Sequence, residues 1–196
     1  FRNYKKFYIL TLTIECLHNG STSSCMTKTM GTYKPTNSFH SMSSISIITA
    51  DYTNTEHKEH IKMLLNEYAK DPMGSDKPLG EAILNKVVLD LQTVPGAFSL
   101  LAFNGNEPIG IANCFTGYST FYARPLINIH DLAVLPQSRG LGIGKKLLDA
   151  VSAEAIKRGC CKVTLEVRDD NAAKNLYLRA GFKEGEPPME FLSKIL

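Results

Sequence analysis

The sequence predicts an α/β domain of the α+β kind, in which helices flank a central sheet. Three observations predict it. An apolar run at 126–134 leads through Gly140, Gly142 and Gly144 into an amphipathic segment at 142–158, which is a strand, a glycine turn and a helix in succession. Two apolar runs at 97–103 and 108–115 flank Asn104-Gly105, a hairpin signal. Helical and strand periodicities follow one another along 45–196 without a repeat, so strands and helices belong to one domain.

The elements follow in order. Ser44-Ile45-Ser46-Ile47-Ile48-Thr49 reads as the first strand. Residues 56–69 are helical, because Ile61, Leu64, Leu65 and Tyr68 fall on one face at three- and four-residue steps, and Asp71-Pro72-Met73-Gly74-Ser75-Asp76 breaks the pattern. Residues 81–91 give a second helix carrying Ile83, Leu84, Val87, Val88 and Leu91. The hairpin and the strand at 126–134 come next. In 142–158, Ile143, Leu147, Val151 and Ala155 repeat every four residues, and Gly159 suits the helix end. Residues 162–167 read as a buried strand, 171–180 as a helix stopped by Gly181, and Phe182 and 189–195 as the last strands.

The chain has 196 residues, 43% hydrophobic and 21% charged, which suits a soluble globular domain with a substantial core. The net charge of +3 is uneven. Residues 1–50 hold five basic residues and only Glu15 as an acid, while the remainder is near neutral, so no nucleic-acid surface is expected. Residues 1–44 are expected to be a disordered extension or targeting segment, and 45–196 the folded domain. Three readings of the extension compete. Its basic, Ser-rich and acid-poor composition fits a transit peptide. Lys5-Lys6 before the apolar run 7–14 fits a degraded secretory signal, although that run is short, is closed by Glu15 and cannot span a membrane. The reading favoured is an upstream extension of no function, with Met42 just before the first strand. Five cysteines (Cys16, Cys25, Cys114, Cys160, Cys161) form no C-x-x-C pair, which argues for reduced thiols and an intracellular, cytoplasmic protein, with organelle targeting as the alternative. Cys160-Cys161 is expected to pack at the start of a strand.

The chemistry lies in the glycine turn, Gln137-Ser138-Arg139-Gly140-Leu141-Gly142-Ile143-Gly144-Lys145-Lys146. Alternating glycines leave the backbone unshielded, and the first N–H groups of a helix lack partners and carry the positive end of its dipole. Such groups bind phosphate, and Arg139, Lys145 and Lys146 add charge. The turn reads as a pyrophosphate cradle. The dinucleotide fingerprint fails, because its third glycine position is Lys145, and the P-loop fails, because Lys145 is followed by Lys146.

Gln137-x-x-Gly140-x-Gly142 after a strand resembles the acetyl-CoA motif of the GNAT superfamily of N-acetyltransferases. The resemblance covers roughly the last three-quarters of the chain, and the element order is that of the GNAT fold. A second segment, Asp170-Asn171-Ala172-Ala173-Lys174-Asn175-Leu176-Tyr177 through Gly181-Phe182, resembles the family's N-x-x-A-x-x-L-Y-x-x-x-G-F. In one respect it departs: counting back from Tyr177 puts Asp170 in the family's Asn slot, with Asn171 one position later. The resemblance implies a mixed sheet splayed near its middle, with the pantetheine arm of acetyl-CoA in the gap. It also implies backbone contacts from Leu132, Ala133 and Val134, a cofactor contact from Asn171, and Tyr177 as the acid for the leaving thiolate.

Amine acetylation needs a deprotonated amine, although alkyl amines have a pKa near 10.4. His130 is the base candidate, since an imidazole near pKa 6.5 accepts a proton at neutral pH directly or through water. Asn128-Ile129-His130-Asp131-Leu132-Ala133-Val134 also resembles the diamine acetyltransferases, where a carboxylate stands at the matching position. His130, Asp131 or a water therefore remains open as the base, and strand alternation predicts that only one of the two side chains faces the cleft.

The other candidates are weaker. His57 and His60 read as a solvated helix face and no metal site is expected. Cys114 has no base beside it. Glu67, Asp71 and Asp76 read as loop charges near the acceptor, and Gly117-Tyr118-Ser119-Thr120-Phe121-Tyr122 as an aromatic loop at its entrance or packed on the sheet. The expected activity is direct acetyl transfer from acetyl-CoA to a small-molecule or peptide amine, without nucleic acid or membrane. The alternative is an acyl-CoA-binding sensor without turnover. The oligomeric state, a homodimer included, stays open.

Overall fold

A computed structural model describes residues 44–187 and 189–196. The readings of the N-terminal extension at 1–43 lie outside these residues. Five strands, β1 (Ile45–Thr49), β2 (Ala97–Asn104), β3 (Glu107–Ser119), β4 (Arg124–Val134) and β5 (Val163–Leu165), stand side by side in that order. β1 to β4 are antiparallel, and β5 joins β4 in parallel, so the sheet is mixed. The β2–β3 hairpin turns at Gly105, which takes a φ of +61°, a conformation open to glycine.

Helices cover both faces. α1 (Thr55–Lys70) and α2 (Glu81–Asp90) lie on one side, and α3 (Ile143–Lys157) and the short α4 (Lys174–Arg179) on the other. Asn54 starts α1 by accepting the N–H groups of Glu56 and His57. Ile61, Leu64, Val88 and Leu91 pack on Leu101, Phe103 and Ile111. Ile143, Leu147, Leu148 and Val151 pack on Leu100, Ala112, Cys114, Ile127 and Ile129. A strand covered on both faces is apolar on both, which explains the continuous apolar runs of β2 and β3. Ser99 and Asn113 break those runs, and both are buried.

Four expectations are corrected. β3 extends to Ser119, so Gly117, Tyr118 and Ser119 are strand residues rather than loop. α4 begins at Lys174, not at 171, because Asn171 Oδ1 accepts the Ala173 N–H at 2.9 Å and holds a turn that competes with helix. β5 has three residues, all half-buried rather than buried, since no strand lies on its outer edge among the described residues. Phe182 and 189–195 form no strand, and Met189, Phe191, Leu192 and Ile195 are exposed. Apolar spacing does not create a strand without a partner to complete its ladder. No helix among the described residues is long and apolar enough to cross a membrane.

Candidate functional site

β4 ends at Val134, Pro136–Ser138 makes one tight turn, and Gly140-Leu141-Gly142 delivers the chain to α3. Gly140 and Gly142 take φ values of +80° and +78°. A Cβ at either would meet no atom within 4 Å, so the loop backbone borders open space. Gly142 stands at the N-cap without a side-chain cap, and the first-turn N–H groups of α3 are left for a ligand. These features fit a pyrophosphate.

The other residues of the turn have separate duties. A Cβ on Gly144 would lie 2.8 Å from Leu176 Cδ2, so this glycine lets α3 approach α4. Lys145 Nζ bonds both carboxylate oxygens of Asp149, at 2.9 and 2.7 Å, on the exposed face of α3. Arg139 donates to the Val134 carbonyl at 3.0 Å and to Asp71 Oδ2 at 2.6 Å, tying the turn to the α1–α2 connection. Gln137 and Leu141 are exposed.

The β4–β5 ladder stops at Ile129 opposite Leu165. Beyond it, Leu132, Ala133 and Val134 keep their ladder with β3 on one edge and, among the described residues, have no strand on the other. The sheet therefore opens beside the glycine turn, as a splayed sheet requires.

At the opening β4 carries a bulge. Asn113 pairs with Asp131 and Cys114 with Ile129, so His130 is the extra residue. The bulge overturns the expectation from strand alternation. The His130 ring meets Phe115 edge-on at 5.7 Å between centroids, and Asp131 Oδ2 accepts from Asn113 Nδ2 at 3.0 Å. Phe115 and Asn113 belong to the α1/α2 face, so His130 and Asp131 share it. Glu166, which sequence reasoning missed, stands on this face too: both its oxygens accept from Asn128 Nδ2 at 3.2 Å. Asn128 pairs with Phe115 and so points to the same side. Tyr68 of α1 is a further missed residue. Burial holds its phenol above the ordinary range, with the carboxylates of Asp131 and Asp71 adding to the effect.

Tyr177 is 8% exposed on α4 and packs edge-on against Phe182. Burial, with Tyr68 adding, pushes its phenol up to about 12. Asn171 spends its side-chain oxygen on Ala173, and Asp170 is paired with Arg168, so both residues of the shifted motif are held in the turn before α4. Burial pushes the Cys114 thiol up to about 12, which leaves it a poor nucleophile. His57 Nδ1 accepts the Asp51 N–H, and His60 packs edge-on against Phe103. Among the described residues no cluster of His, Cys, Asp and Glu could hold a metal ion. Glu67 pairs with Lys70 and Asp71 with Arg139.

The chain matches the acetyltransferase (GNAT) family over residues 61–182. It is 36% identical over 81 residues to a thialysine N-epsilon-acetyltransferase of Mus musculus, a match covering 41% of this chain and 47% of that protein. It is 33% identical over 86 residues to a [ribosomal protein bS18]-alanine N-acetyltransferase of Haemophilus influenzae, covering 44% of this chain and 55% of that one. The matches thus span about half the length of these curated relatives. Among solved structures, AAC(6')-Iy in complex with a bisubstrate analogue, CoA-S-monomethyl-acetylneamine, superposes with a TM-score of 0.63 at 19% identity, covering 78% of this chain and all of that one. At that identity the likeness concerns the fold.

Proposed function

Because the chain belongs to the acetyltransferase (GNAT) family, we propose that it transfers the acetyl group of acetyl-CoA directly to a primary amine within a ternary complex. The observation that carries this reading is a glycine turn with open backbone N–H groups beside the unpaired edge of β4. In this reading the backbone around Gly140, Leu141 and Gly142 and the first turn of α3 hold the pyrophosphate. The free edge of Leu132, Ala133 and Val134 receives the amide-bearing arm and donates to the thioester oxygen as charge develops there. Arg139 acts by fixing the turn to Asp71, while the charge of Lys145 is matched by Asp149 on the exposed face of α3. When bound, acetyl-CoA supplies the electrophilic thioester.

The acceptor enters from the α1/α2 face. Asp131 and Glu166 make that side anionic and favour a cationic amine. An amine of pKa near 10.4 arrives protonated and must lose a proton before it attacks. Asp131 orients the ammonium, and the exposed His130 passes its proton to water. Tyr177 keeps its proton at neutral pH. A phenol near 12 is a weaker acid than an ordinary thiol near 8.5, so complete transfer to a thiolate is uphill in the free protein. Tyr177 therefore serves as a hydrogen-bond donor to the leaving sulfur. The buried Cys114 is no candidate for a covalent acetyl carrier.

Initial rates with acetyl-CoA and a cationic primary amine test the reading. Intersecting double-reciprocal lines support it, and parallel lines would show that the acetyl group stops on the protein first. Asp131→Asn is expected to raise the amine KM roughly tenfold or more, as loss of a charged contact does.

A further inference from the structure

A row of hydrogen bonds crosses three strands and ends on Asp131. Tyr52 Oη lies 2.8 Å from Ser99 Oγ, Ser99 Oγ lies 2.6 Å from Asn113 Oδ1, and Asn113 Nδ2 lies 3.0 Å from Asp131 Oδ2. Ser99 is 0% exposed and Asn113 3%. Chemistry fixes the direction of donation. An ionised carboxylate only accepts, so Asn113 turns its NH2 to Asp131 and its carbonyl oxygen to Ser99. That oxygen only accepts, so the single hydroxyl proton of Ser99 goes to it. Ser99 Oγ then offers only lone pairs to Tyr52, and Tyr52 is the donor. Three donors in series point at one carboxylate, and each polarises the next.

Such a row is a poor device for stability. Ser99 and Asn113 occupy inward positions between apolar neighbours, where apolar side chains of similar volume would pack as well or better. The row runs from the half-buried Tyr52 through the buried Ser99 and Asn113 to the half-buried Asp131 at the β4 bulge. Oδ1 of Asp131 accepts from no described residue, so one oxygen is held and the other is left for a ligand.

Resting on the acetyltransferase reading above, we propose that Tyr52, Ser99 and Asn113 are positioning residues that lock a single Asp131 rotamer, so that its free oxygen docks the ammonium group of a primary-amine acceptor. A carboxylate ordered during folding does not have to be ordered again when the amine binds.

Asn113→Leu, Ser99→Ala and Tyr52→Phe test this in the full chain. The amine KM is expected to rise roughly tenfold in Asn113→Leu and by smaller factors in Ser99→Ala and Tyr52→Phe, a gradient along the row. The acetyl-CoA KM stays within about twofold of wild type, which general damage to the fold would not allow. An unchanged amine KM in Asn113→Leu, or equal rises in both KM values, overturns the proposal. NMR of the Asn113 side-chain amide gives a readout independent of turnover. A slowly exchanging Nδ2 proton that shifts in Asp131→Asn supports the row. A freely exchanging one that ignores that substitution overturns it, whether or not the protein turns over. Absence of thiol release from wild type would instead overturn the acetyltransferase reading.

Discussion

His130 and Asp131 are adjacent in the chain, and a flat strand would aim them apart. The extra residue in β4 turns both to the α1/α2 face, and that extra residue exists only in pairing with β3. This is why the sequence named both residues without showing that they share one face. Asn113 and Ser99 left a fainter trace, as polar residues at inward positions of apolar strands. Their bonds to Asp131 and Tyr52 join residues up to 47 apart, which no local pattern reports. Tyr177 was legible from its motif, and its burial adds a chemical consequence. Tyr177→Phe is expected to lower kcat by about 10- to 100-fold with the amine KM nearly unchanged, because the role proposed for its hydroxyl is at the leaving sulfur. An unchanged kcat across pH removes Tyr177 from the chemistry. Cys114, with its thiol near 12 and a buried side chain, is expected to resist iodoacetamide at pH 8 in the folded protein and to react after denaturation. Mass mapping of the alkylated cysteines checks this.

The glycine turn was the most legible element, because strand, turn and helix follow within one short stretch. Structure divides its glycines by duty. Gly142→Ala is expected to cost about 1–2 kcal/mol from its positive φ and to raise the acetyl-CoA KM. Gly144→Ala crowds Leu176 and is expected to lower Tm by a few degrees while leaving that KM nearly unchanged. Reversed KM effects would return Gly144 to the cradle. The bond between this turn and the α1–α2 connection was hidden, since Arg139 and Asp71 are 68 residues apart. The Met73 N–H, and then Arg139, hold the Asp71 carboxyl below the ordinary carboxylate range. A carboxyl whose folded pKa is depressed stabilises the fold above its unfolded value near 3.9 and loses that contribution as pH falls through the folded value. Asp71→Asn is therefore expected to lower stability by up to about 1 kcal/mol near pH 7, with the gap to wild type closing as the pH falls below the ordinary carboxylate range. Thermal melts across pH read it directly. The last strands were over-read, since the spacing at 189–195 suits a strand but the outer edge of β5 gains no partner from these residues.

Taken as a molecule, the chain sets two faces around one opening in its sheet. The glycine turn and the free edge of β4 stand on the side to which the proposed function assigns acetyl-CoA. His130, Asp131 and Glu166 stand on the α1/α2 face, and Tyr177 packs in the core beneath α3. The arrangement suits an amine and a thioester that meet at the β4 bulge without a covalent stop on the protein. Thiol release from acetyl-CoA tests this most directly, with the 196-residue chain offered polyamines, amino acids, aminoglycosides and N-terminal peptides as separate pools. The account predicts saturable release that depends on a cationic primary amine, with none above hydrolysis when amine is omitted. No amine-dependent release from any pool, or a stoichiometric burst of thiol without amine, would contradict it.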